Sequence, residues 1–472
     1  MRMRRVFASA PVALGLALGA CASIHNLPLN EPSADPLSVS AARAATLAAR
    51  DQQLQGDSDG AVIALAFSGG GTRAAAFGYG VLDQLKRTPN PRPKRSEDLL
   101  DHVGLVSGVS GGSVITAYYG LKGRAAMDDF RQAFLTQDLM SQLDTRVSLI
   151  NLNRALAGGV NTDVPMRDWL NTHLFDNATL GTVLARGRPI VLINATDVYS
   201  RVPFVFSPET FAAICSDIRA YPLAGAVAAS AAVPAAFAPV VIETYPGKCN
   251  TPLPGWIGRS AKDTTGSPLL RAYADALQLA RSGKVKYIKL FDGGMVDNYG
   301  LSGLTIARAS SGTPYGPLGP KDAVNLRRLL FVVVDSGQAP SGNWDQTVEG
   351  PSGKELVSAL LSAMIDANSR SSYQAFQATM QNWRNDIVRW RCGLKASEVA
   401  RLRGRGGRWN CRDLKITVTR IGFDQLDPAR ATRLGKIQTS WTLPVNEVDD
   451  LIGAGGDALK ANPAFQRFLK EM

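Results

Sequence analysis

Five apolar runs of strand length, most of them closing on glycine and giving way to a helical pattern, leave this chain few folds to choose from. The first, Ala61–Phe67 (AVIALAF), is apolar at every position and ends in SGGGTR. A strand apolar on both faces belongs inside a parallel sheet covered by helices, since a half-solvated strand would alternate. AAAFGYGVLDQLKR follows with helical spacing. HVGLVS then enters GVSGGS and continues as the helical GSVITAYYGLK; PIVLINATD (Pro189–Asp197), VKYIKLF (Val285–Phe291) and RLLFVVVDSG (Arg328–Gly337) supply three more runs. Strands alternating with helices imply an α/β fold with a mostly parallel central sheet. Ligands in such sheets sit at the carboxyl ends of the strands.

The ends of the chain read differently. Residues 1–20 carry Arg2, Arg4 and Arg5, a short apolar stretch and small residues before Cys21, the pattern of an export signal. LGAC (Leu18 to Cys21) resembles the bacterial lipobox, which makes Cys21 a lipidation site; an ordinary secretory signal with a coincidental cysteine is the alternative. Ala22 after it points to the outer membrane. Residues 21–58 are rich in Pro, Ala, Asn and Asp and read as a tether. Residues 59–345 hold the alternating strands and helices of the main domain, and 346–472 form an extension packed on it.

Within that extension, GKELVSALLSAMIDANSRSSYQAFQATMQNW reads as one long amphipathic helix. NDIVRWRC and CRDLKITVTRIGF read as a β-hairpin, so the expected elaboration is helical with a hairpin. The basic loop 393–410 between them reads as a solvated surface loop in preference to a nucleic-acid or lipid contact.

Charge and cysteine usage narrow the class. The chain carries a net charge of +12, and loss of three arginines with residues 1–20 leaves +9. That basicity suits an anionic lipid surface and does not single out nucleic acid. Beyond Cys21, four cysteines remain, an even number in an exported protein. Pairing of sequence neighbours, Cys215 with Cys249 and Cys392 with Cys411, is expected over the other two connectivities and over four free thiols. No CxxC or HxxxH spacing supports a metal site.

Three loops follow buried strands: Ser68–Arg73, Gly108–Gly112 and Asp292–Gly294. In a parallel sheet they would emerge on one edge. Ser110, with Gly108, Gly111 and Gly112 around it at a strand-to-helix turn, has the setting of an exposed nucleophile elbow. Bare glycine amides at Gly69, Gly70 and Gly71 could face a developing oxyanion. A serine hydroxyl still needs a base. His25 lies in the tether. His102 lies eight residues before Ser110, roughly 26 Å away along an extended strand, and His173 sits in a helical pattern. A carboxylate is left, and Asp292 occupies the right kind of loop.

SGGGTRAAAFGYGVLDQL, GVSGGS and DGGMVDNYG together resemble the signature blocks of the patatin-like phospholipase family, and ASAAVPAAFAPV (Ala229–Val240) resembles a fourth. The resemblance implies a three-layer α/β/α sandwich and a Ser–Asp dyad. It makes Ser110 the nucleophile, Asp292 the general base, Gly69–Gly71 the oxyanion loop and Arg73 the basic residue closing that loop. It implies no metal and no cofactor. Asp297 reads as a loop-stabilising residue.

GGGTRA also fits a dinucleotide fingerprint, but the acid expected about 20 residues on is replaced by the basic KRTPNPRPKR. No nucleotide partner is expected. The expected function is a serine lipid acyl hydrolase of the phospholipase or lysophospholipase type, lipid-anchored in the cell envelope and acting on membrane acyl esters. A non-turnover envelope lipoprotein and an acyltransferase on the same fold are the alternatives.

Overall fold

Alternation along the central strands sets the layers. In the strand Ala61–Phe67 (β1), Ile63, Leu65 and Phe67 enter one apolar core while Ala64 and Ala66 enter another. The computed structural model describes residues 24–37, 60–91, 98–146, 148–340, 344–351, 353–404 and 409–472. The expected signal segment 1–20, Cys21 and most of the expected tether lie outside the described residues.

Seven further strands complete the sheet: Val103–Val109 (β2), Ile190–Asp197 (β3), Val202–Val205 (β4), Val240–Glu243 (β5), Tyr287–Asp292 (β6), Arg328–Asp335 (β7) and Lys415–Gly422 (β8). Their order is β5-β6-β3-β2-β1-β7-β8, with β4 paired to β3. The five strands from β3 to β8 along that order are parallel to their neighbours, while β4, β5 and β6 join through antiparallel pairs. Helix Gly71–Arg87 (α1) packs Phe77, Val81 and Leu82 into the first core, joined there by Val448, Leu451 and Ala458 of helix Val445–Ala461. The other face is covered by helix Gly353–Cys392 through Phe376, Met380, Trp383 and Ile387. The chain is a three-layer α/β/α sandwich.

Two expectations are corrected by this arrangement. NDIVRWRC is not a strand: it is the last part of the 40-residue helix Gly353–Cys392. Trp383, Ile387 and Arg391 fall at helical spacing, and all three are buried. CRDLKITVTRIGF does yield a strand, β8, but it pairs in parallel with β7 and so extends the central sheet instead of closing a hairpin. The expected tether also departs from its reading where it is described. Asn26 and Asn30 are buried, and their side chains donate to the carbonyls of Ala238 and Glu243 at 3.0 and 2.8 Å. Residues 24–33 are a strap seated on the body.

Both disulfides join sequence neighbours, Cys215–Cys249 and Cys392–Cys411. Beside the second, Trp409 lies under the guanidinium groups of Arg391 and Arg403, at 4.7 and 5.6 Å from its ring centroid. Those arginines of the basic region are engaged by an aromatic ring.

Candidate active site

Strand β3 explains how residues far apart in sequence meet. Asn194 pairs with Val109 of β2 on one edge and with Val205 of β4 on the other. One residue later Ala195 pairs with Phe204 of β4 and with Asp292 of β6. Strand β6 therefore occupies the β2 edge, runs toward β2, and meets it end to end. The expectation that the Asp292 loop follows a parallel neighbour is corrected here: the carboxyl ends of β2 and β6 converge because the strands approach from opposite directions.

Ser110 stands at that junction with φ 51° and ψ −123°, a backbone conformation that side chains of L-residues rarely adopt. Such a residue costs on the order of 1–3 kcal/mol and persists only where its surroundings over-determine it. They do so here. The Ser110 N–H donates to Ser230 Oγ at 2.9 Å, and Ser230 Oγ donates to the Asn194 carbonyl at 2.6 Å. The Ser110 carbonyl accepts from the N–H and the hydroxyl of Ser113 at 2.9 and 2.6 Å. Helix Gly111–Lys122 (α2) starts at once, so its free amide end lies beside the serine. Gly108 and Gly112 are required by close approach: a Cβ on Gly112 would stand 2.5 Å from the carbonyl oxygens of Phe67 and Ser68.

Asp292 is fixed from three sides. Its N–H donates to the Ala232 carbonyl at 2.9 Å, its carbonyl accepts from Thr196 Oγ1 at 2.9 Å, and its Oδ1 accepts from the Gly294 N–H at 2.8 Å. Burial pushes its carboxyl up to about 6, against the pull of the Gly294 amide, which hydrogen-bonds to it, and of the nearby Ser110 hydroxyl. The dominant cause is desolvation of the ionised form.

The glycine loop after β1 completes the setting, with one change. Gly69 does not offer its amide, which already donates to the carbonyl and to Oδ1 of Asn298, each at 3.2 Å. Gly70 and Gly71 take positive φ values of 138° and 60°. Among the described residues, neither of their amides has an acceptor, and the same holds for Gly111. The starts of α1 and α2 touch backbone to backbone at Gly71 and Gly111, so the amino-terminal ends of two helices, each carrying partial positive charge, lie side by side. Arg73 does not close this loop from the solvent side. It is buried, donating through Nε to the Ser336 carbonyl at 2.9 Å and through Nη1 to the Ile437 carbonyl. Its place is behind the loop, where burial lowers its pKa to about 10 against the opposing charge of Asp335.

None of the three histidines joins the pair. His102 precedes β2, its Nδ1 lying 3.3 Å from the carbonyl of Ala61 at the amino end of β1. His173 is exposed and stacked on Trp169, with ring centroids 4.9 Å apart. His25 is exposed on the amino-terminal strap. Asp297 is buried, and its Oδ2 accepts from the Ser302 N–H at 2.6 Å, which braces the turn after Asp292.

Sequence reasoning missed Ser230 and Asn298 as site-building residues. Ser230 lies in an alanine-rich block with no chemical signal of its own, and Asn298, in DGGMVDNYG, is overshadowed by the two aspartates there. The Ser68–Ser336 pairing was likewise invisible: the Ser336 N–H donates to Ser68 Oγ at 3.0 Å, and Ser336 Oγ donates to the Gly69 carbonyl at 3.1 Å.

Against known proteins, the family model described as patatin-like phospholipase matches residues 65–305. No curated protein matches the sequence. Among solved structures the chain is similar to human GIVD cytosolic phospholipase A2, at 15% identity and a TM-score of 0.38, over 92% of this chain and 66% of that one. It is similar also to that enzyme in complex with methyl gamma-linolenyl fluorophosphonate, at 16% identity and a TM-score of 0.37, over 92% of this chain and 63% of that one. The chain thus spans less than two thirds of the human enzyme's length in either structure, and likeness at that level says nothing about what this chain binds.

Proposed function

The chain belongs to the patatin-like phospholipase family, and from that premise we propose that it is a serine lipid acyl hydrolase working through Ser110 and Asp292. Ser110 Oγ attacks the ester carbonyl carbon and its proton passes to Asp292. The oxyanion is held by amides of Gly70, Gly71 and Gly111, fixed donors each worth about 3 kcal/mol of barrier. As the tetrahedral intermediate collapses, Asp292 returns the proton to the departing alcohol, leaving an acyl ester on Ser110. Water, deprotonated by Asp292, then attacks the acyl carbon; the Ser110 Oγ–carbonyl bond breaks, Asp292 passes the proton to Ser110 Oγ, and the fatty acid is released.

The observation that carries this reading is the buried Asp292 carboxyl at the strand end that meets the strained Ser110 elbow, with Ser230 and Ala232 of one turn holding both backbones. An ordinary carboxylate is a weak base, and one raised to about 6 is better matched to proton transfer near neutral pH. The base works ionised, so kcat/KM should rise through pH 6 and level off above it. A profile flat from pH 5 to 8 on a soluble short-chain ester, with saturating buffer and intact fold, would contradict the assignment.

We further propose that the enzyme is anchored in the cell envelope through a lipid on Cys21. Labelled palmitate should enter the wild-type protein and not Cys21→Ser; equal incorporation in both would remove the anchor from the account.

A further inference from the structure

Helix Leu149–Leu156 is turned inside out. Its polar Asn151 is buried and donates to the Arg146 carbonyl at 2.9 Å, while Ile150, Leu152 and Leu156 face solvent, Leu156 with 81% of its surface open. A globular protein gains nothing in water from that arrangement. The amino-terminal part of helix Gly353–Cys392 repeats it. Leu356, Leu360 and Met364, one turn apart along one stripe, are all exposed, Met364 at 63%.

Each element is tied to a turn that carries the site. The segment after helix 149–156 is bonded to residues 235–238: the N–H groups of Val160 and Asn161 donate to the carbonyls of Ala235 and Ala236 at 3.1 and 3.0 Å. A few residues before that contact, Ser230 and Ala232 hold the backbones of Ser110, Gly293 and Asp292. In the long helix, Asn368 donates to the carbonyl of Val296, four residues after Asp292. The amino-terminal strap ends at the same place. Asn26 donates to the carbonyls of Ala238 and Pro239, and its Oδ1 accepts from the Asp163 N–H at 2.9 Å. Leu27 beside it is exposed, and the described amino-terminal segment, which begins at residue 24, lies against this part of the body.

We propose that helix 149–156 and the amino-terminal turns of helix 353–392 form a docking face for a lipid bilayer, setting the Ser110 site against the membrane. The inference rests on the lipid-hydrolase reading for its purpose, and its geometry can fail independently of that reading. Short apolar helical faces enter the headgroup and acyl boundary without spanning it, and among the described residues no helix is long and apolar enough to cross a membrane. A tether alone would hold the protein near lipid without inserting these side chains, and that difference can be measured.

The test places tryptophan at Leu152 or Leu360 in the full chain carrying Ser110→Ala, and at Ile190 as a control. Ile190 is partly exposed at the amino end of β3, the end away from Ser110. With vesicles of phosphatidylethanolamine and phosphatidylglycerol containing brominated acyl chains, the added fluorescence of Leu152→Trp and Leu360→Trp should fall by about half, and that of Ile190→Trp should not change. Leu152→Asp, Leu156→Asp and Leu360→Asp combined should lower hydrolysis of vesicle lipid about tenfold or more while leaving a soluble four-carbon ester within about twofold. No quenching at positions 152 and 360, equal quenching at 190, or equal loss on both substrates would overturn the proposal. So would a dimer in solution that Leu360→Asp converts to monomer without any vesicle quenching. Quenching without turnover of any ester by the Ser110 form would keep the docking face and remove the hydrolase.

Discussion

Asp292→Asn should lower turnover about ten-thousandfold, the scale seen when the group supporting a serine nucleophile is neutralised, and should make the protein more stable at pH 8. Both effects come from one buried charge. The folded pKa of Asp292 is raised from 3.8 to about 6. Between those values the folded chain binds more protons at this group than the unfolded chain does. The group's contribution therefore falls as pH rises through that window, by up to about 3 kcal/mol above pH 6. Asparagine is neutral at every pH and can still accept the Gly294 N–H. Its melting temperature should exceed the wild type's at pH 8 and match it near pH 4, where both side chains are neutral. Ser110→Ala should be as inactive as Asp292→Asn without that pH-dependent gain. An active Asp292→Asn, or one less stable than wild type at pH 8, would contradict the role given to the carboxylate.

Gly111→Ala should be the most damaging single methyl group in the chain. Gly111 has an ordinary φ, so alanine is not strained there by its own backbone; the obstacle is space. Its Cβ would overlap the backbone N, C and O of Gly71. Gly71 cannot retreat, because its own outer side lies against the Ser440 backbone, whose carbonyl accepts the Thr72 N–H at 2.8 Å. Relief requires the starts of α1 and α2 to part, separating the amides proposed to hold the oxyanion. Overpacking of this kind costs about 1–3 kcal/mol of stability, and loss of an aligned oxyanion donor costs about 100- to 1000-fold in kcat. Gly258→Ala serves as the control. Gly258 lies in the helix Gly255–Lys262 with no neighbour within 4 Å of an added Cβ, and alanine there should leave activity unchanged. A Gly111→Ala enzyme with wild-type kcat would show that the two helix starts do not act together.

The central strands were legible because burial on both faces writes itself as an unbroken apolar run: Ala61–Phe67 is the observed β1. Direction was not legible. The run before Asp292 looks the same whether its strand is parallel or antiparallel to its neighbour, and only the pairing of Ala195 with Asp292 reveals the head-on meeting with β2. The four-residue strands β4 and β5 are too short to carry a period. Alternation in NDIVRWRC resembled a strand, although Trp383, Ile387 and Arg391 carried the helical spacing across its boundary. The strap at residues 24–33 has the composition of a tether, because asparagines buried through hydrogen bonds leave no apolar pattern. Ser110 and Asp292, the groups proposed to react, were conspicuous because each lies in a glycine-flanked turn after a strand. Their supports were not, because Ser230 and Asn298 act through single backbone contacts that any serine or asparagine could make.

The C-terminal third has a part in the site that its sequence did not advertise. Segment 437–441 receives Arg73 and Thr72 and so backs the glycine loop, while helix 445–461 lies on α1 at Gly80 and Gly455, where a Cβ on either would meet the other helix's backbone. The glycine loop is thus held by residues more than 350 positions away in the chain.

The pH dependence of covalent labelling at Ser110 by a fluorophosphonate tests the central claim, that a carboxylate and not an imidazole activates the serine. The rate should rise through pH 6 to a plateau in the wild type and in His173→Ala and His102→Ala. In Asp292→Asn it should drop by about a thousandfold or more and lose its step at pH 6. A His173→Ala or His102→Ala protein labelled as slowly as Asp292→Asn, or a step at pH 6 that survives in Asp292→Asn, would contradict it.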